Sequence, residues 1–301
     1  MTVGNLAVTD LSFAPAAPPR GVLAVSGEDR VGFLQGLVSN DMLQVGERTA
    51  IWAALLTPQG KYLHDFFVAE AEGTVLIEAE AARLADLQRR LSMFKLRSKV
   101  TIQPAAGSLE VWLGWGDGAA ARLGLAAPGD AMPIPGGVVF ADPRLAELGI
   151  RVIAPPGTAE KLLAAHGFAR SDAAGWDRLR LGLGVPDGSR DLAVEKSILL
   201  ENGFDELRGV SWNKGCYMGQ ELTARTKYRG LVKKRLMPLA IEGAPPEPGT
   251  LVTRPDGSEA GEIRSGREGM ALGLIRLDAL DAPLTVDGAP VRPIRPAWAR
   301  W

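Results

Sequence analysis

Beyond Lys234 the chain loses helical spacing, and this change of texture does most to limit its fold. Short apolar runs at 236–241, 250–253, 271–277 and 291–294 alternate with turn residues at Pro255-Asp256-Gly257 and Asp287-Gly288. Runs of that length, punctuated in that way, read as a small all-β barrel or sandwich. A boundary therefore falls near residue 235, with 235–301 as a C-terminal all-β unit, barrel or sandwich. Upstream, 1–234 mixes two periods. Residues 21–26, 48–56, 62–68, 74–77, 111–115, 138–141 and 150–154 read as strands, with a hairpin turn at Thr57-Pro58-Gln59-Gly60-Lys61. Helical spacing appears at 29–38, through Leu84, Leu87, Leu91 and Phe94, at 158–166 with Thr158 as N-cap, and at 172–183. Strands and helices alternating with hairpins predict an α+β region rather than a doubly wound sheet.

The titratable inventory excludes several functions. Thirty-four basic residues against thirty-five acidic ones leave a net charge of −1, which gives no global attraction to nucleic acid. No stretch approaches the roughly twenty apolar residues of a membrane-spanning helix. Residues 1–19 lack the charged and apolar regions of a secretory signal. One cysteine and two histidines, His64 and His166, cannot close a four-ligand zinc or iron–sulfur site from sulfur and imidazole within one copy. A single thiol also forms no internal disulfide, which is compatible with a reducing compartment, and the cytoplasm is the default expectation. His64 reads as structural, and His166 beside Gly167 as a helix cap. No phosphate loop, dinucleotide fingerprint or nucleophile elbow is present.

The lone thiol sits in Lys214-Gly215-Cys216-Tyr217-Met218-Gly219-Gln220-Glu221. A cysteine at a helix start beside cations is drawn toward thiolate, and flanking glycines permit close backbone approach. A free cysteine can equally fill a core and do nothing. If 217–226 is helical, Tyr217, Glu221 and Arg225 share a face, and Glu221–Arg225 can be an ordinary salt bridge. The cations Arg229, Lys233, Lys234 and Arg235 follow; they are either an anion site or a solvated strand face.

The octapeptide resembles the signature Lys-Gly-Cys-Tyr-x-Gly-Gln-Glu of the YgfZ family, folate-binding proteins that assist iron–sulfur enzyme maturation. Every fixed position is matched. Leu200-Glu201-Asn202 is similar to an acidic segment of the family's mitochondrial-type members, and a weaker likeness runs through 33–41 and 57–61. The resemblance implies an aminomethyltransferase-like fold, with two ferredoxin-like units around a central folate cavity plus the barrel, one unit being discontinuous. It implies a tetrahydrofolate or related cofactor and partnership with iron–sulfur client enzymes and cluster carriers. It makes Cys216 the working thiol, and at most a transient metal ligand, with Lys214 beside it as the second catalytic candidate.

A pterin ring presents an amide-like edge that a carboxylate can grip, and a face that an aromatic ring can cover. Glu201, Asp41 and Asp187 are the candidate carboxylates, with Glu201 first; Trp176 and Tyr217 are the candidate rings. Asn40, Gln220 and Arg225 complete the cofactor set. Trp176 looks like a tryptophan that bacterial members place beside folate, whereas their other tryptophan is replaced here around Arg20. Asn40-Asp41 can instead be a simple turn. Three functions follow. The first is a folate-binding accessory factor for assembly or repair of iron–sulfur clusters, mainly four-iron ones. The second is a folate-dependent aminomethyl or methyl transferase, with Asp41 at the reactive nitrogen. The third is a scaffold without chemistry.

Overall fold

A computed structural model of the chain describes residues 10–301, so the signal-peptide expectation lies partly outside the described residues. The chain divides into two compact units. Unit 1 comprises Met1–Leu55 (described from residue 10), His64–Trp176 and Arg208–Met218; unit 2 comprises Leu56–Leu63, Asp177–Leu207 and Gly219–Trp301. Among the described residues no helix is long and apolar enough to cross a membrane.

Among the described residues, unit 1 carries eleven strands in two sheets. In chain order they are β1 (Ser12–Pro15), β2 (Arg20–Ser26), β3 (Ile51–Leu56), β4 (Tyr62–Ala71), β5 (Thr74–Glu80), β6 (Thr101–Pro104), β7 (Glu110–Trp115), β8 (Ala131–Ile134), β9 (Gly137–Ala141), β10 (Ile150–Ala154) and β11 (Ala169–Arg170). The helices are α1 (Arg30–Gln35), α2 (Leu84–Met93) and α3 (Thr158–Ala165). One sheet has the order β3-β4-β5-β2-β6, the other β11-β1-β7-β10-β9-β8. Every residue of β3, β9 and β10 is buried, because both faces of these strands are covered. On β10 the even side, Ile150, Val152 and Ala154, joins Trp112, Val139 and Leu163 of α3 in one apolar cluster. The opposite side carries Arg151, for the simple reason that successive side chains alternate across a strand. Gly21 of β2 lies so close to α2 that a Cβ there would stand 2.8 Å from Leu84.

Several boundaries differ from the sequence reading. Gly157, at φ 76°, is the N-cap of α3, so Thr158 is the first helical residue and makes no cap. The helix expected at 29–38 is only Arg30–Gln35 before the chain turns. Strands β1, β6, β8 and β11 have no counterpart in the sequence reading; they are two to four residues long, too short to show a period.

Unit 2 takes all of helix α4 (Ala174–Leu183) beyond Trp176, helix α5 (Gln220–Tyr228), and six strands. These are β12 (Lys234–Ala240), β13 (Leu251–Thr253), β14 (Glu259–Arg267), β15 (Met270–Arg276), β16 (Leu284–Val286) and β17 (Ala289–Pro293). They close as β12-β15-β14-β13-β16-β17, which leaves no free edge. Leu239, Val252, Ile263, Ile275 and Val286 fill the interior. Leu181 of α4 packs with Leu236, Leu272 and Leu274. The α+β fold with a C-terminal barrel is therefore as the sequence implied.

A register shift between Ile263 and Ser265 re-aims Ser265. Its hydroxyl donates to Asp191 and accepts from Arg180 Nη2 at 3.1 Å. Arg180, fully buried, also donates to Asp177 Oδ1 and Asp191 Oδ2, each at 2.7 Å. Burial opposes the charge on Asp177, but Arg180 and Arg190 outweigh it and hold the carboxyl at about 2. Breaking such a set from one side strands its charges. Arg180→Met is expected to destabilise unit 2 by about 3–5 kcal/mol, read as a lower midpoint in urea unfolding.

Candidate functional site

Cys216 lies in unit 1 on an irregular segment whose spatial neighbours are far away in the sequence. Residues 208–218 are stitched to 35–41. Ser39 Oγ donates to the Gly209 carbonyl at 2.6 Å, and Ser211 N donates to the Ser39 carbonyl at 3.0 Å. Asn40 Nδ2 donates to the Arg208 and Trp52 carbonyls at 2.7 and 2.8 Å. Met218 N donates to the Gly36 carbonyl at 3.1 Å. Between these anchors the Lys214 ammonium donates to the carbonyls of Gln35, Val38 and Asn40 at 2.7, 2.6 and 2.7 Å. Burial draws this ammonium down to about 8, with the Asp41 carboxylate opposing, so it remains charged at neutral pH. Gly215 takes φ 89°, a conformation L side chains rarely adopt, and Cys216 next to it is exposed. Tyr217 turns inward, with the Lys214 ammonium 5.2 Å from its ring centre.

No helix begins at Gly215. Helix α5 starts at Gln220 behind Gly219 (φ 80°), so Tyr217 shares no helical face with Glu221 and Arg225, and the thiol lacks the helix-start amides the sequence suggested. The start is displaced because Gly219 packs on the β3–β4 turn within unit 2. A Cβ on Gly219 would run into the Thr57 carbonyl, and one on Gly60 would stand 2.6 Å from the Gly219 carbonyl. Glu221 and Arg225 form no ion pair among the described residues.

The other cofactor candidates fall in both units. In unit 1, Asn40 spends its amide on two carbonyls and its Oδ1 on Asp41 N, while Asp41 Oδ1 accepts from Gln35 Nε2 and Leu43 N. Trp176 is buried; its indole N–H donates to the Leu148 carbonyl at 3.2 Å, and the Arg151 guanidinium stands 5.5 Å from its ring. In unit 2, Glu201 sits on a short 3-10 turn where burial pushes its carboxyl up, against the pull of Lys234, Lys61 and Arg235. Gln220 and Arg225 lie on α5. Asp187 pairs with Arg190 at 3.0 Å. Arg235 of the basic cluster is committed to Glu206 and the Leu200 carbonyl.

The sequence reading missed a buried charge box between the two sheets of unit 1. Glu78 Oε1 on β5 accepts from Arg151 Nη1 at 2.6 Å and from Arg20 Nε at 3.0 Å. Arg151 Nε donates to Asp142 Oδ2 at 3.0 Å, and Arg144 grips the same Asp142 with two donors. The Arg151 guanidinium lies 3.7 Å from the centre of the Phe67 ring. Burial works against the charge of Asp142, yet Arg144 and Arg151 hold it at about 2. Three guanidiniums face two carboxylates, and Glu78 Oε2 is buried without a hydrogen-bond partner. The available signal was an acid within the apolar run 75–79 and an arginine within 150–154.

Neither histidine joins the thiol. His166 Nδ1 donates to the Leu162 carbonyl at 2.8 Å as the C-cap of α3. His64 is buried, with Nε2 2.9 Å from Asp86, whose carboxyl is held far below its usual range by Arg90 and Arg89 against its own desolvation. Burial and the charge of Arg83 lower His64 to about 4, so it is neutral at pH 7 and donates its Nε2–H to Asp86. Among the described residues no three His, Cys, Asp or Glu side chains converge as metal ligands.

Over 98% of the chain the backbone matches aminomethyltransferase T of the glycine cleavage system from Bartonella henselae, with a TM-score of 0.78 over 88% of that chain and 16% identity. The fold is therefore aminomethyltransferase-like α+β, and residues 233–301 match the CAF17 C-terminal beta-barrel domain. Closer in sequence is the mitochondrial iron-sulfur cluster assembly factor IBA57 of Mus musculus, 33% identical over 89% of this chain and 78% of that protein. The Homo sapiens IBA57 is 31% identical over 90% and 80%. The chain belongs to the IBA57 family of iron–sulfur cluster assembly factors, a narrower placement than the YgfZ likeness and compatible with it. The cytoplasmic expectation is corrected by the same comparison, since these relatives are mitochondrial by name. A single cysteine forms no internal disulfide in any compartment, so the cysteine count does not separate cytoplasm from mitochondrion.

A pH titration tests the His64 assignment. The unfolded His64 takes a proton near 6.5, while the folded one resists to about 4, so the unfolded state binds more protons in that window. Stability is expected to fall as pH drops from 6.5 to 4, by up to about 3 kcal/mol from this group. In His64→Gln, whose amide can still donate to Asp86, that part of the slope in denaturant midpoint against pH disappears.

Proposed function

We propose that this chain is an accessory factor in the assembly or repair of iron–sulfur clusters, mainly of the four-iron type, and that Cys216 is its working group. The observation that carries the reading is the exposed thiol on a segment anchored at both ends to 35–41 of unit 1. A cluster here is cargo. One thiolate supplies one ligand, so the remaining ligands come from client enzymes or carrier proteins, and the contact lasts only as long as the partner stays bound. Exposure suits that role, because a thiolate must reach a metal held by another chain.

The proposal includes a tetrahydrofolate. Glu78 offers the feature that fits it best: a buried carboxylate oxygen without a donor, beside Arg20, Arg151 and the Phe67 ring. The N–H edge of a pterin would supply that missing donor. A bound tetrahydrofolate supplies one-carbon or reducing chemistry. Glu78 would hold its pterin edge, with Arg20 and Arg151 fixing the carboxylate through its other oxygen. The transferase reading gains nothing from Asp41, whose Oδ1 already serves Gln35 and Leu43.

Two measurements test these readings. Aconitase activity in cells lacking this protein is expected to return with wild type and to stay low with Cys216→Ala at matched expression. Equal rescue by both would demote the thiol to a structural role, and an undiminished aconitase in the deleted cells would sink the assembly reading. Calorimetric titration of the purified chain with tetrahydrofolate is expected to give one-to-one binding; no heat of binding would remove folate from the account.

A further inference from the structure

The Lys214 ammonium has three N–H donors and no acceptor, and all three are spent on backbone carbonyls. None is left to hydrogen-bond a thiolate. The three acceptors belong to Gln35, Val38 and Asn40, in the segment where α1 ends and the chain turns, and carbonyls at a helix end attract cations. The carbonyl of Lys214 itself receives Gln35 Nε2 at 3.4 Å, and the same Gln35 Nε2 donates to Asp41 at 2.8 Å. On the far side of the thiol, Met218 N closes onto the Gly36 carbonyl. The cysteine is thus clamped at positions two before and two after it, onto residues some 180 earlier in the chain.

We propose that Lys214 is a positioning residue, which sets where the Cys216 thiol stands by pinning 214–218 onto 35–40, and is not the group that activates the thiolate. The inference rests on the reading of Cys216 as the working thiol. It explains the residue type. A tetrahedral ammonium can converge on three carbonyls around one atom, whereas the planar fork of arginine cannot. Methionine fills the volume but leaves three acceptors unpaired. Asp41 is the charge that faces the ammonium, so the clamp is held by backbone dipoles and one carboxylate.

Lys214→Arg separates the two roles, because it keeps the charge and loses the geometry; Lys214→Met loses both. Amide hydrogen exchange across 209–218 and the pH profile of Cys216 alkylation by iodoacetamide are measured on the full chain. Positioning predicts exchange faster by tenfold or more (roughly, for loss of one to two net hydrogen bonds) in both variants, with the midpoint of the thiol profile unchanged. A midpoint raised by about one pH unit in Lys214→Met and restored in Lys214→Arg, or wild-type exchange in Lys214→Arg, overturns the proposal. Should Lys214→Met fail to fold, Lys214→Arg alone decides between the outcomes. Neither readout uses cluster activity, so a failure here is distinct from a failure of the aconitase rescue.

Discussion

Arg151 is the charge on which unit 1 is organised. It stands on a central strand of one sheet and reaches Glu78 on the other, with Asp142 on its second edge and the Phe67 ring against its face. A guanidinium removed from water is tolerable only when its donors are matched and its plane is covered, and the two carboxylates and the ring do both. Such a pair adds little over a well-packed apolar core, but losing one partner strands the rest. The cluster therefore fixes the alignment of the two sheets more than it raises their stability. It also leaves Glu78 Oε2 buried without a donor, the oxygen on which the proposed pterin contact rests.

The thiol loop depends on that frame indirectly. Lys214 holds 35–40, Asn40 reaches the carbonyl of Trp52 on β3, and Trp52 donates to Asp65 on β4. A chain of hydrogen bonds thus runs from the sheet to the segment that bears Cys216. The thiol is exposed but its backbone is not loose. In the role proposed for Cys216, exposure gives a partner access and a hydrogen-bonded backbone lessens the entropy of ordering the loop at each encounter.

Much of the fold was legible in sequence. The barrel could be read because its short runs alternate with Pro-Asp-Gly and Asp-Gly turns, and the hairpin because Pro58 and Gly60 separate two apolar stretches. The caps were less legible. Thr158 has the side chain of an N-cap, yet Gly157 takes the position because it tolerates a left-handed backbone. The start of α5 was misread in the same way: Gly219 packs against the Thr57 turn, a contact with no local signature. Glu78 and Arg151 were passed over because each sits inside an apolar run, where one polar residue does not disturb the period.

By itself the sequence determined that one thiol lies between glycines in a Lys-Gly-Cys-Tyr-Met-Gly-Gln-Glu signature, that sulfur and imidazole alone cannot close a four-ligand site around it within one copy, and that an all-β unit follows. Those are matters of inventory and period, and both are local. The tertiary structure decided which carbonyls the Lys214 ammonium meets, which carboxylate oxygen remains without a donor, and which rings are covered by cations. Each of those depends on which backbone carbonyl or guanidinium arrives from far along the chain, and hydrogen-bond donors and acceptors carry no mark of their partner until the strands are in register.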